Sequence, residues 1–300
     1  MSASILCLGE ILYDVYPDQR RLGGAPFNFA YHLHRLGHDV AFVSRVGRDP
    51  DGESIERFLN ERGVPDGFLQ RDDTHPTGIV RVSLDDRGVP DFTIVAPAAY
   101  DFIAYEEVLA ERLRGGPDLI YVGTLAQRHA VSRETIQRVL AERPDPTRVF
   151  YDVNLRQDFY SRDLLERTLR ESDVVKLNAD EFELVCGMFG IGGSEPDAAA
   201  GLRGHFAIAS LCITKGGDGS SLYDGSGAHH WRIGERPDRP IIDTVGAGDA
   251  FSALMTDGML GGAAAEPVLE RASEFALRIC GISGALPDDP GFYDDFQGGV

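Results

Sequence analysis

An α/β fold with a mostly parallel central sheet is what this sequence predicts, and three observations carry it. Short apolar runs alternate with helix-length amphipathic stretches along most of the chain. Parallel strands joined by helices are the simplest topology for that order. Finally, 300 residues, 43% of them hydrophobic, are enough to bury one large core.

Residues 5–8 read as the first buried strand. A helix follows over 26–36, where Phe29, Ala30, Leu33 and Leu36 recur at three- and four-residue spacing and Gly37 stops it. Residues 40–43 form the next strand and 51–60 the next helix. Later strands are expected near 118–122, 149–153, 173–177 and 207–213, with helices between them. Two stretches break this rhythm. Residues 12–16 alternate, with Leu12, Asp14 and Tyr16 on one face and Tyr13 and Val15 on the other. Residues 77–84 and 91–95 are strand-like runs flanking Asp85-Asp86-Arg87-Gly88, a good hairpin turn. These strands read as a small antiparallel sheet projecting as a lid; two extra edge strands on the main sheet fit the pattern nearly as well. Beyond Pro287, Asp288-Asp289-Pro290-Gly291 and Gln297-Gly298-Gly299 suggest a loosely ordered end, tethered by Phe292, Tyr293 and Phe296.

Composition removes several function classes. A formal charge of -19 repels phosphate backbones and anionic lipids, so neither nucleic acid nor membrane is an expected partner. No apolar run reaches the ~18 residues of a membrane helix. Residues 1–10 carry no basic leader and too short an apolar stretch for a signal peptide, which makes the cytoplasm the expected location. Cys7, Cys186, Cys212 and Cys280 lie far apart, so neither a disulfide framework nor a zinc site is indicated. His32, His34 and His38 make no clean metal face, and His229-His230 reads as packing or surface. No Gly-x-x-x-x-Gly-Lys-Ser/Thr loop occurs and no Gly-x-Gly-x-x-Gly follows the first strand, which argues against a Walker-type ATPase and a dinucleotide dehydrogenase.

The chemistry concentrates in Ile241-Ile242-Asp243-Thr244-Val245-Gly246-Ala247-Gly248-Asp249-Ala250-Phe251. Ala250, Phe251, Leu254 and Met255 fall on one helical stripe, so Gly246-Ala247-Gly248 sits where a loop enters a helix. Unpaired amides and the helix dipole favour an anion there, and the glycines let a phosphate approach without a Cβ in the way. Asp249 reads equally well as a general base for a hydroxyl or as an acidic first-turn residue that complements the dipole. Gly23 and Gly24 offer N–H donors suited to sugar hydroxyls, or form an ordinary turn, and Asn28 can both donate and accept. Asp152, Asn154 and Arg156 alternate at a strand end, where ligands collect in open α/β sheets. Asn178 and Glu181, three apart, share a face at a helix start and suit a capping box.

Asp243-Thr244-Val245-Gly246-Ala247-Gly248-Asp249 resembles the signature of the ribokinase-like sugar kinases, the PfkB family, whose pattern Asp-Thr-x-Gly-Ala-Gly-Asp is complete here. Further blocks follow the family's order across almost the whole chain. They are Gly23-Gly24-Ala25-Pro26-Phe27-Asn28, Val46-Gly47-Arg48-Asp49-Pro50-Asp51-Gly52, Asp152-Val153-Asn154-Leu155-Arg156, Lys176-Leu177-Asn178-Ala179-Asp180-Glu181 and Thr214-Lys215-Gly216-Gly217-Asp218-Gly219. The resemblance implies a ribokinase-like three-layer sandwich with a mostly parallel central sheet and a small β-sheet lid. It implies one sugar-kinase domain over 1–300, with lid excursions at about 10–20 and 76–97.

The activity so implied is phosphoryl transfer from ATP to a sugar hydroxyl, with Asp249 as general base and the amides of Gly246, Ala247 and Gly248 as the anion hole. Asp14, Gly23, Gly24, Asn28 and Arg156 would bind the sugar, and Asn178, Thr214, Lys215, Gly216 and Gly219 the nucleotide. Glu181 would order Mg2+ through water. Asp243, with carbonyls around Val245 and 283–285, would hold the potassium ion that activates several members. The pairing of Gly9-Glu10-Ile11-Leu12-Tyr13-Asp14 with Gly-Gly-Ala-Pro-x-Asn is most similar to the fructokinase branch, so fructose is the expected acceptor. 2-Keto-3-deoxygluconate and ribose stay open. Only eight residues separate Asp14 from Gly23, and Phe159-Tyr160 stand where a tryptophan is expected. A non-catalytic sugar- or nucleotide-binding relative would have lost the signature aspartate or glycines, and none is lost. In relatives the lids often pair, so Phe92, Ile94 and Val95 read as an apolar patch for a homodimer.

Overall fold

Two sheets organise the chain in the computed structural model, which describes residues 2–84, 90–232 and 240–297. The large sheet takes β1 (Ser4–Leu8), β4 (Asp39–Gly47), β5 (Leu69–Asp72), β8 (Leu119–Gly123), β9 (Arg148–Asp152), β10 (Val174–Asn178), β11 (Ser210–Thr214), β12 (Ser220–Asp224) and β13 (Gly227–Trp231). Their spatial order is β13-β12-β11-β10-β9-β8-β1-β4-β5. Pairing is parallel from β11 through to β5, and only β12 and β13 run antiparallel to their neighbours.

The helices are α1 (Ala25–Arg35), α2 (Pro50–Arg62), α3 (Glu107–Arg114), α4 (Ala130–Glu142), α5 (Arg162–Arg170), α6 (Ala179–Phe189), α7 (Glu195–Phe206), α8 (Ala247–Leu260) and α9 (Ala265–Cys280). They form a layer on each face of the sheet because successive strand side chains point to opposite faces. On β1, Leu6 and Leu8 join the core shared with α3 to α7, while Ile5 and Cys7 join the core shared with α1, α2, α8 and α9. No helix among the described residues is long and apolar enough to cross a membrane.

The small sheet has the order β3-β2-β6-β7, from β2 (Leu12–Val15), β3 (Arg20–Gly23), β6 (Gly78–Leu84) and β7 (Pro90–Ile94). It is separate from the main sheet, which decides against extra edge strands. It is mixed rather than antiparallel, however: β2 pairs β3 and β6 pairs β7 antiparallel, but β2 runs parallel to β6. The hairpin turn expected at 85–88 lies outside the described residues. The Val46-to-Gly52 block anchors this sheet. The Asp49 carboxylate caps α2 by accepting from the Gly52 amide, and also accepts from the amide and hydroxyl of Thr77, one residue before β6. Gly52 has no room for a side chain, since a Cβ would lie 2.1 Å from the Gly47 carbonyl oxygen.

Two other expectations change. The strand expected from 207 begins at Ser210, because α7 runs to Phe206 and Ala207 closes it in a left-handed conformation, φ 58°. The described end of the chain is not loose: residues 290–296 form a 3-10 helix that buries Tyr293 and Phe296. The buried His32 meets the Tyr293 hydroxyl at 2.9 Å and is a packing histidine.

Candidate functional site

Parallel strands of an open sheet leave a crevice at their carboxyl ends, where the strand order reverses. Here the reversal is at β1, which has β4 on one side and β8 on the other. A cavity of about 500 Å³ opens there. Its walls are Glu10 just beyond β1, Leu12 and Asp14 of β2, Gly24 and Asn28 around the start of α1, and the loop after β9. The segment Thr244 to Asp249 leading into α8 closes one side. Val80, Phe92 and Ile94 bring the small sheet over it, as a lid would.

The signature loop has the conformation its glycines permit. Gly246 is the N-cap of α8 with φ 78°, and a Cβ there would sit 2.2 Å from the Ala285 Cβ. No side chain caps this helix, so the amides of Gly248 and Asp249 keep no intrahelical acceptor. The Ala247 amide, expected in the anion hole, instead reaches back to the Thr244 carbonyl at 3.3 Å.

Asp249 is buried in the first turn of α8 and accepts from the Asn28 amide nitrogen at 2.7 Å. Burial pushes its carboxyl up to about 6, against the lowering pull of that hydrogen bond. Asn28 thus orients Asp249, and its own Oδ1 is buried without a partner at the cavity wall. Asp14 is likewise raised to about 6 by burial, with Arg156 and Arg21 pulling the other way. Gly23 lies opposite Leu12 on β3, and a Cβ there would come 3.3 Å from the Asp14 carboxylate. Gly24, φ 111°, lets the chain pass the Glu10 carbonyl, which a Cβ would approach to 2.5 Å.

The expected alternation of Asp152, Asn154 and Arg156 stops with the strand. Asn154 has φ 40° and Gln157 φ 49°, so the loop turns away from extended geometry. Asn154 and Arg156 line the cavity, whereas Asp152 is fully buried beneath it. There Asp152 accepts from Lys176 at 3.1 and 3.2 Å and from the Ser252 hydroxyl at 2.8 Å. Lys176 also reaches the Gly248 carbonyl at 3.4 Å, which places an ammonium directly behind the signature loop. Burial works against its charge, but Asp152, Asp249 and Glu181 more than offset that and hold it above the ordinary lysine value.

Lys176 and Glu10 are the site residues for which sequence reasoning assigned no role. Lys176 enters the sequence reading only as the first residue of the Lys176-to-Glu181 block. Glu10 is buried with Oε2 unpartnered, and burial raises its carboxyl to about 7.

The residues expected on the nucleotide side are arranged around the carboxyl ends of β10 and β11. Asn178 and Glu181 form a reciprocal capping box: the Asn178 side chain accepts from the Glu181 amide at 2.9 Å, and Glu181 accepts from the Asn178 amide at 2.8 Å. Glu181 Oε1 also accepts from the Leu155 amide at 2.7 Å, which ties α6 to the loop after β9. Thr214 ends β11, and Gly216 (φ 54°) and Gly219 (φ 98°) shape the tight turn that follows. The Lys215 ammonium pairs with Glu195 and Ser221, both at 2.7 Å. Asp243 accepts from the Val245 amide at 3.0 Å and the Gly284 amide at 3.1 Å, and its carboxylate forms an ion pair with Arg21. Among the described residues no group of three or more His, Cys, Asp or Glu is arranged to hold a metal ion. Mg2+ does not require one, because it commonly takes one or two carboxylates, waters and substrate phosphates. The single buried Glu181, with lone pairs left after its amide contacts, fits that pattern.

A family model, pfkB family carbohydrate kinase, matches residues 2–290. The fructokinase of Escherichia coli is 33% identical over 270 residues, covering 86% of this chain and 85% of the relative. A fructokinase structure from Vibrio cholerae O395, with fructose, ADP and calcium bound, is 25% identical with a TM-score of 0.78, covering 97% of this chain and 98% of the other. A double mutant of that enzyme, with fructose, ADP and potassium bound, also gives 0.78 at 25% identity, covering 98% and 99%.

Proposed function

The chain belongs to the pfkB family of carbohydrate kinases and is a phosphotransferase acting on a sugar hydroxyl, and from that premise we propose that it converts fructose and ATP to fructose 6-phosphate and ADP. The observation that carries the reading is a buried carboxylate, Asp249, held by Asn28 beside an uncapped helix N-terminus inside a cavity with Asp14 and Arg156.

Asp249 accepts the proton of the acceptor hydroxyl. The freed oxygen pair forms a bond to the terminal phosphorus of ATP, the bond to the bridging oxygen breaks, and ADP leaves with that electron pair. The backbone amides of Gly246 and Gly248 stabilise the charge on the transferring group, while the Ala247 amide holds the loop through Thr244 and Lys176 behind them counters the buried acids. Asp14, Gly23, Gly24, Asn28 and Arg156 hold and orient the sugar. Asn178, Thr214, Lys215, Gly216 and Gly219 form the nucleotide side, and Lys215 exchanges its Glu195 partner for a phosphate. Mg2+, when bound with the nucleotide near Glu181, supplies neutralising charge to the phosphates. The lid keeps water, a competing acceptor, from the reacting phosphoryl group.

The reading spans residues 1–300 as one catalytic unit, with lid excursions at about 10–20 and 76–97; β3 extends the first of these to Gly23. It includes action in the cytoplasm, where ATP is available. It also includes a homodimer through the lids, for which Phe92 offers an exposed apolar side chain; a monomer by light scattering removes that part.

The test is a coupled ADP-release assay with Mg2+ across fructose, ribose, 2-keto-3-deoxygluconate, glucose and adenosine. Fast turnover with fructose alone is expected. Preference for another sugar overturns the acceptor while keeping the reaction, and ATP binding without transfer to any acceptor points to a silent relative.

A further inference from the structure

The potassium site implied by the family resemblance would use the Asp243 carboxylate, and the residues around Asp243 do not fit it. Of the lone pairs on that carboxylate, one on Oδ1 is taken by the Val245 amide, and Oδ2 serves both the Gly284 amide and the Arg21 guanidinium. Arg21 comes from β3 of the small sheet, 222 residues away in sequence. A guanidinium stays charged at any relevant pH.

Arg21 is held there from several sides. Its Nε donates to Gln19 at 3.3 Å, and its guanidinium lies 4.9 Å from the centroid of the Tyr16 ring. Its Cδ packs 3.6 Å from where a Cβ would stand on Gly284, whose φ of 81° suits glycine. Across the sheet it pairs with Asp14, so the same cation stands between a cavity carboxylate and the signature loop. An alkali cation on Asp243 would have to displace this group or sit against it, charge facing like charge.

We propose that the Arg21 guanidinium takes the place of an alkali cation at Asp243, so that phosphoryl transfer by this chain is independent of potassium and β3 of the lid is fastened to the loop leading into α8. The fixed side chain supplies the positive charge beside the anion-binding amides, and it does so only while the small sheet is docked. Lid position and loop order are thereby coupled through one ion pair. This goes beyond the reaction proposed above.

The experiment compares chloride salts of potassium, sodium and tetramethylammonium at equal ionic strength, in two readouts. Melting of the unliganded wild type needs no acceptor, so it stays readable even if the assigned sugar is wrong. The three salts are expected to give the same melting temperature, because a cation that does not bind the native state cannot shift it. Turnover is expected to agree within about twofold across the salts, far less than the tenfold that 1.4 kcal/mol in a barrier produces. Arg21→Met keeps the aliphatic stem and opens the carboxylate, so its melting temperature should rise saturably with potassium and not with tetramethylammonium. A saturable potassium shift in the wild type, or activation by potassium of about tenfold or more, overturns the proposal. A folded Arg21→Met variant that ignores potassium overturns it as well. Should that variant fail to fold, the wild-type comparison decides alone.

Discussion

Replacing Asp249 by Asn separates chemistry from stability in a way the structure specifies. Asparagine keeps the size of the side chain and an oxygen to accept from Asn28 Nδ2, and it removes only the charge and the basicity. A general base contributes about 10²- to 10⁴-fold, so turnover should fall at least about 10²-fold. Stability should move the other way at alkaline pH. Burial raises the Asp249 carboxyl from 3.8 to about 6, so the folded state binds this proton more tightly than the unfolded chain does. The stabilising effect of protonation is full below the unfolded value and is lost as pH rises through about 6. At pH 8 the wild type carries a buried charge whose cost, at 1.36 kcal/mol per unit, is about 3 kcal/mol. The attraction of Lys176 and Arg156 is already included in that net shift.

Asn escapes this cost. With an unfolding entropy of roughly 2 cal/mol/K per residue over 300 residues, about 3 kcal/mol corresponds to a melting temperature about 5 °C higher. The gain should shrink as pH falls through 6, reach about half its full size near pH 5, and vanish below about 3.8, where both states hold the proton in the wild type. Coupled ADP release and thermal melts at pH 8 and pH 5 read both effects. Turnover within about tenfold of wild type would refute the base assignment. A melting temperature that is unchanged or lower at pH 8 would refute the reasoning from burial.

Three further outcomes are expected. The acid limb of kcat/KM should have its midpoint near 6 and steepen beyond a single ionisation, because Asp14 and Asp249 are both raised to about 6; a limb centred near 4 contradicts the burial of both. Lys176→Met should destabilise by about 3–5 kcal/mol in urea melts, since it strands the fully buried Asp152 with only the Ser252 hydroxyl. An unchanged midpoint there would mean that the Lys176–Asp152 pair adds nothing net to stability. Gly246→Ala should cost turnover heavily, because φ 78° and the Ala285 contact both oppose a Cβ, whereas Gly187→Ala meets open space on α6 and should leave turnover unchanged. Equal behaviour of the two variants would dissociate the signature loop's conformation from catalysis.

Much of the fold was legible because period and punctuation agreed: the β1–α1–β4–α2 opening follows from apolar runs, three- and four-residue spacing, and Gly37. The departures have local causes. Arg20-Arg21-Leu22-Gly23 has no alternating apolar face, so β3 could not be read; it exists because it pairs with β2. The parallel pairing of β2 with β6 joins segments more than sixty residues apart, and a hairpin pattern at 77–95 speaks only to β6 and β7. Alternation from Asp152 to Arg156 presumes extended backbone, and Asn154 at φ 40° ends it.

The site shows the same division more sharply, since motifs point to the candidate residues but not to their partners. Asn28 was read for its capacity to hold a polyol, yet its amide is spent on Asp249, brought to it by a helix 221 residues away. Glu181 was read for magnesium, and its two oxygens first serve the amides of Asn178 and Leu155. Asp243 was read for potassium and carries Arg21. In each case the residue type announces that a charge or hydrogen bond is needed, but what supplies it is set by tertiary neighbours. Burial adds a second property that spacing cannot carry. Glu10, Asp14 and Asp249 are all acids near one cavity, and each is raised by desolvation to between about 6 and 7. Asp152, fully buried, is paired with Lys176. A carboxylate with its own lysine is a poor proton acceptor, and one held by a neutral amide is a better one; that contrast, rather than the position of either in a motif, is the physical reason to assign the base to Asp249.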